Sequence, residues 1–574
     1  MPEQDRSPER DDTTRHLCAA AHLDHRFADA AITEFLLEPT RSIAPSPGVD
    51  DGAVLAEAVA ARVRRKLVDL ALVLLAVALL AAAPWGVLIA WVVLSLLVSA
   101  SGLRSAVQAR VGKGSTGTVP LVLGGVVVLV LLFLLNPTLG RDLEDLFDSL
   151  SEPTYDYSDT GRLVEDDGTA ATVWTVLLVL ACLGVLVTDR VTVWRLVVGR
   201  FRRNAGRLPA LATTLAERPI FQLAPLTALR TLRERYAAEP ARIAADDPAP
   251  EAGPPVPVVV HRGYDPFVGA GVLHHPWSVV VPLVADPNAD EVRPLATGML
   301  YDGIVTEIED LRAATTLTPG GRLARLTADR LVVVSADELI DHLGDDESRV
   351  FLEVPGTAPY DLLSERRALA LRDRPVEWAR FYRCFRVETW DRDLVMSVYL
   401  HVALDDTTLY VEWTPCVLRP ISDTYQRIDA ESPSGVRPVL RAALDLIRLP
   451  VSLPGRVGRL LRLLRPIKDG RGVINPDRYG SLHSLRELAA DDREHNYFQL
   501  ADRDRYLKIL ESRVTLAVSR MLRDAGYQVA SFEEQVSTVI NNSVHIGGSV
   551  TGGNVVAGSR NTITQPTQRR GPGK

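Results

Sequence analysis

Lysine is nearly absent from this 574-residue chain: five residues, in a total of 64 lysines and arginines. That arginine bias reads as GC-rich coding rather than as a nucleic-acid footprint, and the net charge of −8 agrees. Cysteine is scarce as well. Cys18, Cys182, Cys384 and Cys416 form no CxxC pair and no disulfide ladder, so reduced thiols are expected. No signal peptide is expected, because the first long apolar run comes after residue 60. The hydrolase elbow GxSxG, the zinc-protease motif HExxH, the Rossmann glycine pattern and the kinase motifs are missing. Val111-Gly-Lys-Gly-Ser-Thr-Gly117 lacks the first Walker glycine, since Val107 occupies that position. No cofactor and no metal is expected. Cys18, His22, His25 and Asp29 share one face of an expected helix over 14–38, but one helix alone rarely builds a metal site.

What the chain has instead is apolar runs. Residues 67–97 exceed one comfortable span and are broken by Pro84-Trp85-Gly86, which predicts a hairpin of spans at about 67–83 and 86–101. Further spans are expected at about 119–135 and 170–187. Arginine-rich flanks precede the first span and follow the second and fourth, which predicts both termini on the cytoplasmic side of a bacterial inner membrane. The fold-class expectation is thus membrane α-helical, with four transmembrane helices (N-in/C-in) and a cytoplasmic α+β domain. The spans hold almost no ionisable residue beyond Asp69, so they read as an anchor rather than a solute path. The loop 137–169 carries ten acids against two arginines and reads as a solvated acidic outer loop.

Cytoplasmic helices are expected over residues 1–66, and basic juxtamembrane helices with a Pro/Ala linker over 189–255. Residues 256–436 read as the α+β domain. Runs at 381–388, 394–404 and 407–418, joined by short turns, predict an antiparallel meander. The segment 437–471 nets +7, and two stripes stand out in it: Leu460, Leu461 and Leu464 with Val457, and Arg456, Arg459, Arg462 and Arg465. Such a stretch suits an anionic lipid surface or an arginine-faced surface helix. Helices follow over 472–535, with Leu507, Leu510, Val514, Ala517 and Met521 on one face for pairing between chains or packing on the domain. The Gly/Asn-rich tail, 536–574, repeats glycine at 548, 553 and 558 and suits stacking across chains.

The densest cluster of unusual residues is His261 to Gly271 (HRGYDPFVGAG), with His274, His275 and Trp277 behind it. Gly269 and Gly271 permit left-handed backbone, Tyr264 and Phe267 offer aromatic surface, and Asp265 a carboxylate. His261, Tyr264, Asp265, Phe267, Gly269, Gly271, His274 and His275 are therefore the ligand-binding candidates. The alternative is an entry loop whose aromatics plug the core. With its Tyr264–Gly271 loop and Trp277-Ser278 strand, the chain resembles uncharacterised multi-pass membrane proteins of high-GC Gram-positive bacteria that share a YDPFVGxG-type loop. The N-terminal LCAAAHLD and APSPGVD stretches and the tail are similar too, while His274-His275-Pro276 departs from the usual spacing. That resemblance implies architecture and no activity. The functional expectation is a membrane-anchored cytoplasmic sensor or binding scaffold, partnered by the lipid bilayer and by its own copies, with no nucleic acid. The alternatives are an enzyme with an unrecognised site in 256–436, and an oligomeric pore.

Overall fold

The computed structural model describes residues 12–110, 167–203, 226–236, 253–314, 316–430 and 436–542. The expected third span, nearly all of the acidic loop, most of the linker and the tail beyond residue 542 lie outside the described residues.

The sheet comes from β-branched and aromatic runs. β1 (Val256–His261), β2 (Val272–Leu273), β3 (Trp277–Pro282), β4 (Thr327–Ser335), β5 (Leu362–Leu363), β6 (Ala379–Thr389), β7 (Leu394–Leu404) and β8 (Thr408–Leu418) form one mixed sheet. Its order is β2-β8-β7-β6-β4-β1-β5, with β3 also on the outer edge of β8. β1 and β4 run parallel and the other pairs are antiparallel. The β6–β8 meander is present. Its first turn puts Trp390, Asp391 and Arg392 at positive φ. Its second is tied by the Asp405 carboxylate, which accepts from the Thr407 and Thr408 amides at 2.7 Å each.

Period-two alternation splits the sheet into unlike faces. One is apolar: Val258, Val260, Trp277, Val332, Phe381, Phe385, Leu400, Val411 and Trp413 are all buried. Two helices cover it, α7 (Thr297–Glu309) through Leu300, Tyr301, Ile304 and Ile308, and α11 (Tyr497–Asp524) through Leu507, Leu510, Val514 and Ala517. The apolar stripe of α11 is therefore spent on its own domain. Each large side chain so buried contributes roughly 1.5–3 kcal/mol. The other face carries Tyr382, Cys384, Arg386, Tyr399, His401 and Cys416, and it positions the site described below.

A helical unit packs beside that second face. It comprises α1 (Asp12–Leu23), α2 (His25–Phe35), the first half of α3 (Asp51–Ala82), the end of α5 (Asp167–Arg200) and α6 (Leu226–Tyr236). The expected single helix over 14–38 is broken at Asp24, whose carboxylate caps α2 by accepting from the Arg26 amide at 2.7 Å. His22 is buried against Glu57 at 2.9 Å, Asp29 pairs with Arg62, and Cys18 is buried, so these side chains hold helices together.

The four-helix transmembrane expectation is overturned, and with it the N-in/C-in argument that counted crossings. Among the described residues one helix, Thr172–Arg200, is long and apolar enough to cross a membrane. α3 is continuous from Asp51, so Arg64, Arg65, Lys66 and Asp69 lie inside it. Its uncharged stretch, 70–82, gives only about 20 Å of helix, short of a hydrocarbon core of about 30 Å. α4 (Trp85–Arg110) is apolar only over Trp85–Ser99. Nor is the first pair a simple hairpin. α4 packs on α9 (Arg437–Ile447), burying Leu94 and Val98 against Ile447, with the Trp91 indole donating to the Leu446 carbonyl at 3.2 Å.

Candidate functional site

The 262–271 loop folds back over the polar face of the sheet. Asp265 caps it by accepting from the Phe267 amide at 3.0 Å, an Asx-type turn. This drives Phe267 inward, where its ring stacks on Tyr399 at 4.2 Å between centroids and meets Tyr382 edge-on at 5.2 Å. Gly269 and Gly271 follow at φ +94° and +87°. A Cβ on Gly269 would sit 2.1 Å from the Pro45 carbonyl oxygen, and one on Gly271 2.2 Å from that of Val417. Both amides donate to Glu487 Oε1, at 2.9 and 2.8 Å.

Glu487 was not among the sequence candidates, although Ser484-x-x-Glu487 has the capping-box spacing. The box is formed: Glu487 Oε2 accepts from the Ser484 amide at 2.7 Å, and the Glu487 amide donates back to Ser484 Oγ at 3.2 Å. Burial pushes the Glu487 carboxyl above the ordinary glutamate range, against the pull of the four hydrogen bonds from Ser484, Gly271 and Gly269.

The candidate residues do not converge. Tyr264 is 95% exposed. His261 ends β1 with Nδ1 buried and without a hydrogen-bond partner, and burial holds its pKa below the usual value. His274 and His275 stack edge-to-face at 4.4 Å on the other side of β2, with His274 Nε2 3.9 Å from Asp504 of α11. Neither histidine lines the cavity of about 350 Å³ beside Asp265. The histidine–aspartate grouping that an enzyme reading would use is thus not assembled.

The basic stripe is also divided. α10 (Leu449–Leu461) ends before Arg462, Leu464 and Arg465. Arg456 and Arg459 reach Asp69 of α3 at 2.7 and 2.8 Å, and Asp69 is buried between them. Leu460 is half-buried, Leu461 is exposed, and Leu464 packs on the helical unit.

What the fold does assemble is a cavity of about 1050 Å³, between the polar face of the sheet and the helical unit. Pro39, Ile43 and Pro45 form one wall, and residues 254–259 with Pro266, Phe267 and Val268 form a second. The floor comes from β4, β6 and β7: Asp329, Arg330, Leu331, Arg383, Cys384, Arg386 and Tyr399. Arg330 is ion-paired to Glu365. Burial keeps the Cys384 thiol and the Tyr399 phenol protonated by raising both pKa values. Sequence reasoning passed over these residues. The signal was the alternation of Tyr382, Cys384 and Arg386 with Phe381, Phe385 and Val387, which marks a strand with two lined faces.

Residues 276–556 match the AbeC-like domain, an uncharacterised family. The match takes in β3 to α12 (Ala530–Asn542), and so the β4, β6 and β7 floor of the cavity. It begins beyond the Tyr264–Gly271 loop and the helical unit, which supply the other walls. No curated protein and no solved structure matches the chain.

Proposed function

We propose that the protein is a membrane-attached binding protein, with the 1050 Å³ cavity as its ligand site. The cavity carries the reading. Its size suits a small-molecule pocket, and its walls are mostly apolar with a few polar groups, as such pockets are. It lies where two separately built parts of the chain meet, so a ligand there touches the helical unit and the sheet together. That is the arrangement a sensor needs, since a ligand shifts an equilibrium only through contacts that differ between states.

Attachment to a bilayer is supported by apolar faces that the fold leaves uncovered. Leu70, Leu74, Val77 and Leu80 on α3, Trp85, Ile89, Leu96 and Leu97 on α4, and Trp174, Leu177 and Leu180 on α5 are all exposed. Patches of this extent mark interaction surfaces. The arginines beyond them, including Arg190 and Arg195, suit a cytoplasmic membrane surface.

The test uses full-length protein and a small neutral diazirine probe. Photolabelling should place the probe on peptides from 254–268, β4 and β6, and Leu331→Trp, which fills the cavity from the polar face of β4, should abolish that labelling. The protein should also stay in the membrane pellet after alkaline carbonate extraction. Labels scattered over the surface, unchanged by Leu331→Trp, would refute the binding site; release by carbonate would refute the attachment.

A further inference from the structure

The charges inside the cavity say more than its volume does. Arg386 reaches it from β6, opposite Thr327 on β4 and Ser397 on β7. Its Nε is buried without a hydrogen-bond partner, and among the described residues Arg386 makes no ion pair. The other cations of the lining are engaged elsewhere. Arg330 pairs with Glu365, and Arg235 donates to the carbonyls of Glu38 and Arg41. Arg383, three residues before Arg386, has Asp302 at 3.9 Å. Of the lining acids Glu234, Asp329 and Asp361, none forms an ion pair with Arg386. Glu234 pairs with Arg230, and Asp329, which accepts from the Thr327 hydroxyl at 2.9 Å, attracts Arg386 only from farther off, as does Glu388 beyond the lining.

A guanidinium cannot shed its proton, and a buried charge is costly unless it is paired. The fold therefore holds Arg386 against a cavity with no carboxylate at ion-pair distance among the described residues, Asp329 and Glu388 attracting it only from farther off. Around it the surface is apolar: Ile43, Pro45, Val259, Phe267, Val268 and Leu331. A bare inorganic ion would satisfy the arginine and leave most of this volume unfilled.

We infer that the cavity takes an amphiphilic anion, with a carboxylate or phosphate head on Arg386 and an apolar body against the proline- and valine-rich walls. The guanidinium fork matches two oxygens of either head. This rests on the cavity being the binding site. Two sources carry such chemistry, a free carboxylic acid and a phospholipid of the adjoining bilayer.

Competition against the diazirine label separates these cases. In neutral-lipid nanodiscs, octanoate and octyl phosphate should displace the probe at concentrations about tenfold lower than octanol does, the difference made by one charge-assisted hydrogen-bond pair. Arg386→Gln should bring the anions to the level of octanol, while Arg386→Lys keeps part of the preference. Octyl phosphate ahead of octanoate assigns the bilayer as source, and the reverse assigns a free acid; either supports the inference. Equal competition by octanol and the anions in the wild type, or a preference unchanged in a folded Arg386→Gln protein, would overturn it while leaving the neutral label in the cavity. Labelling that never maps to the cavity would sink the underlying site as well.

Discussion

Gly271 shows how much of this fold hangs on single backbone positions. Its left-handed φ, the close carbonyl of Val417 and the bond from its amide to Glu487 coincide. Gly271→Ala should therefore cost more than ordinary backbone strain, about 1–3 kcal/mol for a left-handed non-glycine residue, because the added Cβ also forces the loop off β8. Urea unfolding should show that loss without a change in slope. The buried histidines make a second prediction. Burial is the largest influence on His22 and lowers its pKa, against Glu57, which raises it. The unfolded chain thus takes up this proton first as pH falls. Stability should be at its full value above the unfolded histidine pKa of about 6.5 and decline below it. His22→Gln should shallow that decline in thermal melts run from pH 8 to pH 5. A slope unchanged by the substitution would assign the acid sensitivity elsewhere.

At the scale of elements, the local patterns were legible and the long-range pairings were not. The β6–β8 meander follows from alternation and from Asp405-Asp406. The α11 stripe follows from spacing, though nothing local chose between the sheet and a second chain as its partner. Asp69 is the instructive failure. In the sequence it stands as a lone ionisable residue of an otherwise apolar anchor; in the fold, Arg456 and Arg459 meet it from about 390 positions away. That ion triad fastens α10 to α3 within an apolar setting, and it is one reason α3 does not behave as an uncharged span. Asp69→Ala leaves two arginines without their carboxylate, a change that costs about 3–5 kcal/mol at buried pairs. Hydrogen exchange should then rise across 449–461 while β6–β8 stay protected. Unchanged exchange in α10 would mean that its apolar contacts alone hold it.

For the whole molecule, the cavity could not be read from the sequence, because its walls come from stretches scattered between residues 39 and 399 that only the tertiary fold brings together. The Tyr264–Gly271 loop was visible as unusual, and the structure explains why: it closes one wall with Phe267 while Glu487 pins its glycines. Arg386 was not visible as unusual, since one arginine among so many carries no local signal. The central claim is that this cavity exists to hold a ligand. Native mass spectrometry of the full-length protein released gently from its membranes tests it most directly. The account predicts a population heavier than the 62.7 kDa chain by a small molecule, reduced in Arg386→Gln and absent in Leu331→Trp. A bare chain in the wild type, or an adduct equally abundant in Leu331→Trp, would contradict it.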